Sequence, residues 1–435
     1  MMKMWSALVG AVAVFHFCIL CGRSEPADDC TVTDTIERFG GTIEDRKILI
    51  SKPDGNVEEV IDGKTVVLLN STIVDADFGI LAVALEKIAD LKKLDLRSTK
   101  ITGEGLGAFG ALSALIELDL SGTLVTDATL GALCNYPRLQ KVSANYTRVT
   151  PEGLGQLYRL ESLTNLELAG AKLTKDRLNP LTKFRRVEEL NLSAIAMTEA
   201  DFAILENWAA DLRILNAATT GATDDALRHV AKLANLQWLE LSGNKDVTDA
   251  GILKLKEFTR LTMIGLAGVG RSNKVKGKLT NDSLTGLLGS KMKLTHLDVS
   301  DTATIFDSTV VEAAGDKITS IRWIKLNQTG MSDCEMEAVG KMVGLESLNL
   351  SATAVTDDGL EDLRGLVQLS DINIENAKTT EGGVNRLRAL RAKYARGLQK
   401  SFQKMSPSLL DVPIPDVSMP HLEQSRKNRS LPAIH

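Results

Sequence analysis

The sequence predicts an α/β repeat protein, in which each unit adds one short strand to a parallel sheet and returns through a short helix or a 3-10 turn. The frame L-x-x-L-x-L-x-x-T-x-(I/V/L)-T recurs along the chain, for example from Leu345. Successive frames begin 24 residues apart, at Leu91, Leu115, Leu139 and Leu163. Aromatic residues make up only 4% of the chain, which suits a core of repeated leucines. About twelve units fit between residues 91 and 390.

Each frame has a strand pattern. Side chains alternate between the two faces of a strand, so Leu94 and Leu96 should point inward and Asp95 outward. The threonine that follows, Thr99 in this unit, should turn its hydroxyl inward and satisfy backbone groups of the tight turn. Each frame therefore predicts one short strand and one turn.

The return segments have helix-start signals. A threonine precedes an acid or a proline in many units, which is typical of a helix N-cap and first position. Examples are Thr126-Asp127, Thr150-Pro151, Thr248-Asp249 and Thr356-Asp357. One unit cannot bury both of its apolar edges, so the units must stack. The predicted fold is a curved right-handed superhelix with a concave parallel sheet and with short helices or 3-10 turns on the convex side.

The units resemble leucine-rich repeats, and their T-x-(V/I)-T-D-x-G-L variant is similar to that of exported repeat proteins of planctomycete-type bacteria. Residues 35–41 (TIERFGG) are similar to the lead-in of those proteins. The resemblance implies a leucine-rich-repeat solenoid that serves as a binding scaffold. The chain departs from the usual repeat by placing threonine at the asparagine ladder position, which changes the subclass and leaves the fold.

We expect four segments: a signal peptide (1–24), an amino-terminal cap (25–65), the repeat array (66–390), and a terminal basic helix with a disordered tail (391–435). Lys3, an apolar run over residues 5–21, and the small residues Gly22 and Ser24 are typical of a cleaved signal. The alternative is an uncleaved membrane anchor, for which the run is shorter than the ~20 residues of a span. The expected location is extracellular, periplasmic or in the cell envelope.

The two ends of the array depart from the repeat. Residues 52–56 (KPDGN) predict a turn between two strands. Beyond residue 385 the chain is basic and amphipathic, which favours a helix that covers the last repeat, with binding to a membrane or polyanion as the alternative. Residues 403–435 hold five of the ten prolines and no periodicity, which favours disorder.

Little in the sequence indicates catalysis. After residue 24 the histidines are His229, His296, His421 and His435. No metal site or cofactor is expected, and the glycine-lysine loop near residue 270 lacks the spacing of a phosphate loop. A formal net charge of -5 argues against nucleic acid as a partner.

One strand position changes character along the array. The residue just before the second leucine of each frame is charged or polar in the early units: Lys93, Glu117, Lys141, Asn165 and Glu189. In the next five units it is large and mostly apolar: Ile214, Trp238, Met263, His296 and Trp323. Such residues are frequent anchors of recognition surfaces. The alternative is that the long loop at residues 268–278 folds over this column and buries it.

Two charged features would border that column. An acidic row is expected at the outward strand position: Asp95, Asp119, Glu167, Glu240 and Asp298. These acids could form a polar rim, or they could simply keep the face soluble. The long loop would add Arg271, Lys274 and Lys276 at the edge. The sequence thus predicts a non-catalytic scaffold that recognises a protein or an extended polymer on its concave face, or else an inhibitor or regulatory subunit of another exported protein.

Overall fold

A computed structural model describes residues 32–51, 57–108, 112–172, 178–184, 186–271 and 279–405. The described residues divide into two compact units, the first ending at Ala196 and the second beginning at Met197. The expected signal peptide and the expected disordered tail from residue 406 lie outside the described residues.

The first unit starts with a helix and a hairpin and continues as a stack of strands and short return segments. Its helices are α1 (Val32–Arg38), α2 (Phe78–Glu86), α3 (Asp127–Ala132) and α4 (Pro151–Leu157), and 3-10 turns cover Asp75–Asp77, Leu106–Ala108, Leu133–Asn135 and Asn179–Lys183. Its strands are β1 (Thr42–Ser51), β2 (Val57–Val67), β3 (Leu91–Asp95), β4 (Glu117–Asp119), β5 (Lys141–Ser143), β6 (Asn165–Glu167) and β7 (Glu189–Asn191). Strands β1 and β2 are antiparallel. Strands β2 to β7 are parallel, and each pairs with its neighbour within this set.

The second unit repeats the strand and return pattern. Its strands are β8 (Ile214–Asn216), β9 (Trp238–Glu240), β10 (Met263–Gly265), β11 (His296–Asp298), β12 (Trp323–Lys325), β13 (Ser347–Asn349) and β14 (Asp371–Asn373), each parallel to the next. Its helices are α5 (Glu199–Ile204), α6 (Ala226–Val230), α7 (Asp249–Ile252), α8 (Asn281–Gly289), α9 (Ser308–Ala314), α10 (Asp333–Gly340), α11 (Asp357–Leu360) and α12 (Glu381–Met405). Its 3-10 turns are Leu205–Trp208, Leu253–Glu257, Gly315–Ser320 and Glu361–Gly365. The predicted α/β repeat stack is confirmed.

The inward leucines and threonines lie where the frame predicts them. Leu94 and Leu96 are fully buried. Thr99 Oγ1 donates to the Leu96 carbonyl at 2.8 Å, and Thr353 Oγ1 donates to the Leu350 carbonyl at 2.6 Å. The hydroxyl therefore satisfies a carbonyl that the tight turn would otherwise leave buried and unpaired.

One repeat has an asparagine, Asn244, at the position where other repeats have the inward threonine. Asn244 is fully buried, and its Nδ2 donates to the Leu241 carbonyl at 2.7 Å and to the Ala217 carbonyl at 2.8 Å. Its Oδ1 accepts from the Ala222 amide at 2.9 Å. The amide thus reaches the preceding repeat, where Oδ1 also accepts from the ladder hydroxyl of Thr220 at 3.2 Å.

The threonines before the return segments are N-caps, as expected. Thr126, Thr150, Thr248 and Thr356 have extended backbone directly before α3, α4, α7 and α11, and Pro151 occupies the first turn of α4. The aspartate next to the cap has a further contact that the sequence did not predict. Its carboxylate accepts hydrogen bonds from both the backbone N–H and the hydroxyl of the threonine that begins the return segment of the following repeat. We call this arrangement the Thr–Asp clasp.

The clasp recurs in both compact units of the chain. In the first unit it joins Asp75 to Thr102 (2.9 and 2.7 Å) and Asp127 to Thr150 (2.7 and 2.6 Å). In the second unit it joins Asp224 to Thr248 (2.8 and 2.7 Å), Asp249 to Thr280 (2.8 and 2.7 Å), Asp333 to Thr356 (2.7 and 2.6 Å), and Asp357 to Thr380 (2.6 and 2.6 Å). Hydrogen bonds to a charged acceptor are stronger than those between neutral groups, so the clasp ties each return segment to the next.

The glycine that often follows the N-cap threonine by three residues is explained by the same contact. A β-carbon at Gly359 would overlap Asp333 Oδ1, and one at Gly153 would overlap Asp127 Oδ1. Ser283 holds the same position after Thr280, where the clasp from Asp249 is kept, so glycine gives the carboxylate room without being required in every repeat.

Helix α12 closes the last repeat. It begins at Glu381, ahead of the expected boundary at residue 391, and buries Val384, Leu387 and Ala395. Arg391 is also buried, and its guanidinium donates to the carbonyls of Leu366 (3.0 Å), Val367 and Leu369. The arginine thus pairs carbonyls that a further repeat would otherwise cover. Among the described residues, no helix has the length and apolar content needed to cross a membrane.

Breaking one clasp should destabilise the array. Asp333→Ala leaves the N–H and the hydroxyl of Thr356 without their acceptor, so we expect the free energy of unfolding to fall by about 1–3 kcal/mol. Urea titration followed by circular dichroism measures it. The control is Asp358→Ala, which removes an exposed aspartate from the neighbouring helix start and should change the free energy by less than about 0.5 kcal/mol. Equal losses would contradict the importance of the clasp.

Candidate functional site

The five large residues of the predicted column lie side by side on the sheet of the second unit. The strand register pairs Ile214 with Trp238, Trp238 with Met263, Met263 with His296, and His296 with Trp323. Each residue lies on a different strand, β8 to β12, at the same position. With strands ~4.8 Å apart, the column is roughly 20 Å long. We call these five residues the apolar strip.

The side chains of the apolar strip are half-buried. The rings of His296 and Trp323 contact each other, with centroids 5.4 Å apart and planes tilted by 34°. His296 Nδ1 lies 2.9 Å from Thr295 Oγ1. Burial lowers the pKa of His296, so the ring is uncharged at neutral pH. The strip therefore offers apolar and aromatic surface without a charge of its own.

The acidic row is less exposed than we expected. Asp95 is 2% exposed and Asp298 8% exposed, while Asp119, Glu167 and Glu240 are half-buried. Several of these carboxylates accept the backbone N–H two residues later, in the turn that follows the strand: Asp95 from Arg97 (3.1 Å), Asp119 from Ser121 (2.9 Å), Glu240 from Ser242 (2.9 Å) and Asp298 from Ser300 (3.0 Å). Asn191, Asn216, Asn349 and Asn373 do the same in other repeats.

This column therefore holds the turns together, in addition to any role as a polar rim. A turn amide without an acceptor would be costly when buried, and short polar side chains are well suited to accept from it. The signal was present in the sequence as an acid or asparagine followed two residues later by serine, for example Asn191 and Ser193.

On the sheet of the second unit, two carboxylates lie on either side of a glycine. Glu240 and Asp298 flank Gly265, since β9 and β11 both pair with β10 at this position. A β-carbon at residue 265 would overlap both carboxylate oxygens of Glu240. The carboxylate thus leans over the glycine, toward the strand that carries Asp298.

One cation pairs with only one of these two carboxylates. Lys325 Nζ lies 3.2 Å from Asp298 Oδ2. Burial raises the pKa of Glu240, and repulsion from Asp298 adds to this, against the hydrogen bonds from Ser242 and the attraction of Lys325. Within the described part of the chain, no lysine or arginine forms an ion pair with Glu240.

The equivalent face of the first unit pairs several of its charges. Glu117 forms ion pairs with Arg46 at 2.5 Å and Lys93 at 3.7 Å, and Lys141 Nζ lies 2.8 Å from Glu167 Oε1. There, the column that is apolar in the second unit is part of a charge network.

The long loop is described only at its ends. Arg271 forms an ion pair with Asp301, whereas Lys274 and Lys276 lie outside the described residues. The alternative in which this loop covers the apolar strip therefore stays a prediction.

Among the described residues, no group of three His, Cys, Asp or Glu side chains is placed to hold a metal ion. His229 lies on α6, with Nδ1 2.6 Å from Glu206 Oε1, in a surface contact between neighbouring return segments.

Comparison with known proteins agrees with the repeat geometry. The family model for the Leucine Rich repeat matches residues 89–110 and 232–256. Two segments of the chain, each containing one repeat strand, thus match the Leucine Rich repeat. No curated protein matches it. The solved structure of an internalin from Listeria monocytogenes is similar at 20% identity, over 72% of this chain and 87% of that one, with a TM-score of 0.48. A TLR13–ssRNA13 complex is similar at 15% identity, over 72% of this chain and 59% of that one, with a TM-score of 0.40.

The charge on Glu240 should cost stability. Because its pKa is raised in the folded protein, folding favours the protonated form, and this contribution is lost as the pH rises through the folded pKa. Glu240→Gln keeps an oxygen for the Ser242 amide and removes the charge. We expect it to raise the free energy of unfolding at pH 7 by up to about 1 kcal/mol, and to have less effect near pH 4.

Glu167→Gln is the matched control, at the same strand position in the first unit. Burial alone would raise the pKa of Glu167, but the ion pair with Lys141 and hydrogen bonds from neighbouring side chains lower it overall. Glu167→Gln should therefore destabilise the protein at pH 7, and thermal melts at both pH values measure each difference. Destabilisation by Glu240→Gln at pH 7 would contradict the assigned electrostatics.

Proposed function

We propose that this chain is a non-catalytic binding scaffold of the cell envelope or extracellular space, which recognises a protein or an extended polymer on the sheet face of its second unit. The observation that carries the proposal is the apolar strip, whose five half-buried side chains lie in register on five adjacent strands. Large apolar side chains on a sheet face are unfavourable in water, and they are typical of the centre of an interface.

The repeat scaffold supports a binding role. Leucine-rich repeats present a broad regular surface, and proteins built from them are typically non-catalytic. The net charge of -5 supports a protein or neutral polymer over nucleic acid. A second form of the same proposal is an inhibitor or regulatory subunit of another exported protein, which would use the same face.

Export is proposed on the first 24 residues and on the likeness of the repeats to those of exported planctomycete-type proteins. Membrane association would need an uncleaved signal or the basic helix α12 at the carboxy terminus.

The binding surface can be tested with two matched double variants of the whole chain. Trp238→Ala with Trp323→Ala should remove the main anchors, and each single change should weaken binding by about 2 kcal/mol or more. Lys93→Ala with Lys141→Ala changes the same strand position in the first unit and should have much less effect. Each variant is first checked for its fold by circular dichroism.

The measurement is affinity capture from envelope and extracellular extracts, followed by dissociation constants for the purified component. We expect a protein or polysaccharide that binds the wild type and the lysine variant and is lost from the tryptophan variant. A component that binds all three equally would contradict the proposed surface. Loss of thermal stability in the tryptophan variant, without loss of affinity, would show that the strip is covered by the chain itself.

Export has its own test. Fractionation of cells that express the full chain should place a mature form, beginning near Glu25, outside the cytoplasm. Amino-terminal sequencing or mass spectrometry identifies the start. A full-length soluble cytoplasmic species would contradict the proposed location.

A further inference from the structure

We propose that the partner of the apolar strip inserts a lysine or arginine side chain beside Glu240, so that the anchor is a cationic residue flanked by apolar ones. This inference rests on the proposed function and names the chemistry of the partner at its centre.

The first argument is a local charge imbalance. Glu240 and Asp298 flank Gly265, and Lys325 forms an ion pair with Asp298 alone. Among the described residues, two carboxylates and one ammonium leave one negative charge beside the strip. Covering Glu240 with an apolar or anionic surface would bury that charge without a partner, which is strongly unfavourable. A cation from the partner removes that cost.

The second argument is the absence of a side chain at Gly265. The neighbouring strands carry Glu240, Asp298 and Lys325 in this column, whereas β10 carries only a hydrogen. Part of the space is occupied by the leaning Glu240 carboxylate. Strand β10 therefore adds no side chain of its own beside the Glu240 carboxylate, and a long side chain from a partner can approach the carboxylate from this side.

The third argument is the surroundings of this point. Trp238 and Glu240 lie two residues apart on β9 and so project from the same face, as do Met263 and Gly265 on β10. The methylene stem of a lysine or arginine would contact Met263, and its charged head would lie near both the Trp238 ring and the Glu240 carboxylate. Aromatic rings attract cations at their faces, most strongly when water is excluded.

The first unit offers a contrast within the same chain. On its sheet face, Glu117 and Glu167 are each paired with a lysine from a neighbouring strand. Glu189 forms no ion pair among the described residues, and it pairs in register with the polar Asn165 on β6. The unpaired Glu240 and the apolar strip occur together, in the second unit only among the described residues.

The test uses a phage-displayed library of random twelve-residue peptides, selected on the full chain. We expect recovered peptides to share one lysine or arginine between apolar residues. Synthetic copies are then made with that residue and with norleucine in its place. Isothermal titration should show at least a tenfold weaker dissociation constant for the norleucine peptide on the wild type. On Glu240→Gln the two peptides should bind nearly alike, because the pair acts as a double-mutant cycle.

The control variant is Asp371→Asn, which removes an exposed carboxylate from β14 on the same sheet. It should keep the preference for the basic peptide. If Asp371→Asn removed the preference for the basic peptide as fully as Glu240→Gln does, a general charge effect would explain the preference and the inference would be overturned. Peptides that require Trp238 and Trp323 but carry no basic residue would overturn the inference and support the proposed surface. Peptides indifferent to both tryptophans would overturn the proposed surface itself.

Discussion

The Thr–Asp clasp is the contact on which the regular stack depends. Each clasp joins the start of one return segment to the start of the next, so in these repeats the threonine amide and hydroxyl depend on the preceding repeat. The carboxylate also occupies the space beside the motif glycine, as Asp333 does at Gly359. A repeat with a clasp therefore needs its neighbour for hydrogen bonds as well as for apolar burial.

This regular stack leaves the sheet face free to vary. Inward leucines and turn threonines are needed in every repeat, whereas the residue before the second leucine projects from the sheet and has no role in stacking. In the first unit that position is used for ion pairs such as Lys141 with Glu167, and in the second for the apolar strip. Strands in a sheet are ~4.8 Å apart, so apolar residues at the same strand position in successive repeats contact one another and form a continuous surface.

The carboxylate column links the stack to the candidate site. Glu240 and Asp298 accept turn amides, which explains their presence without any ligand. That role uses the oxygen atoms and is served equally by the neutral Asn216 and Asn349 in other repeats. The charge at Glu240 is thus additional to the structural need, and it lies beside the apolar strip, two residues from Trp238 on the same strand.

The sequence by itself determined the repeat period, the strand and return pattern, and the shared position of Ile214, Trp238, Met263, His296 and Trp323, because a strict period converts residue spacing directly into strand register. It also predicted the N-caps and the inward threonines, which are contacts within one repeat. Only the tertiary structure decided which groups meet between repeats. The clasp from Asp333 to Thr356, the lean of Glu240 over Gly265, and the closure of the last repeat by Arg391 all join residues more than 20 positions apart. Their geometry depends on side-chain rotamers and burial, which a repeating pattern does not contain.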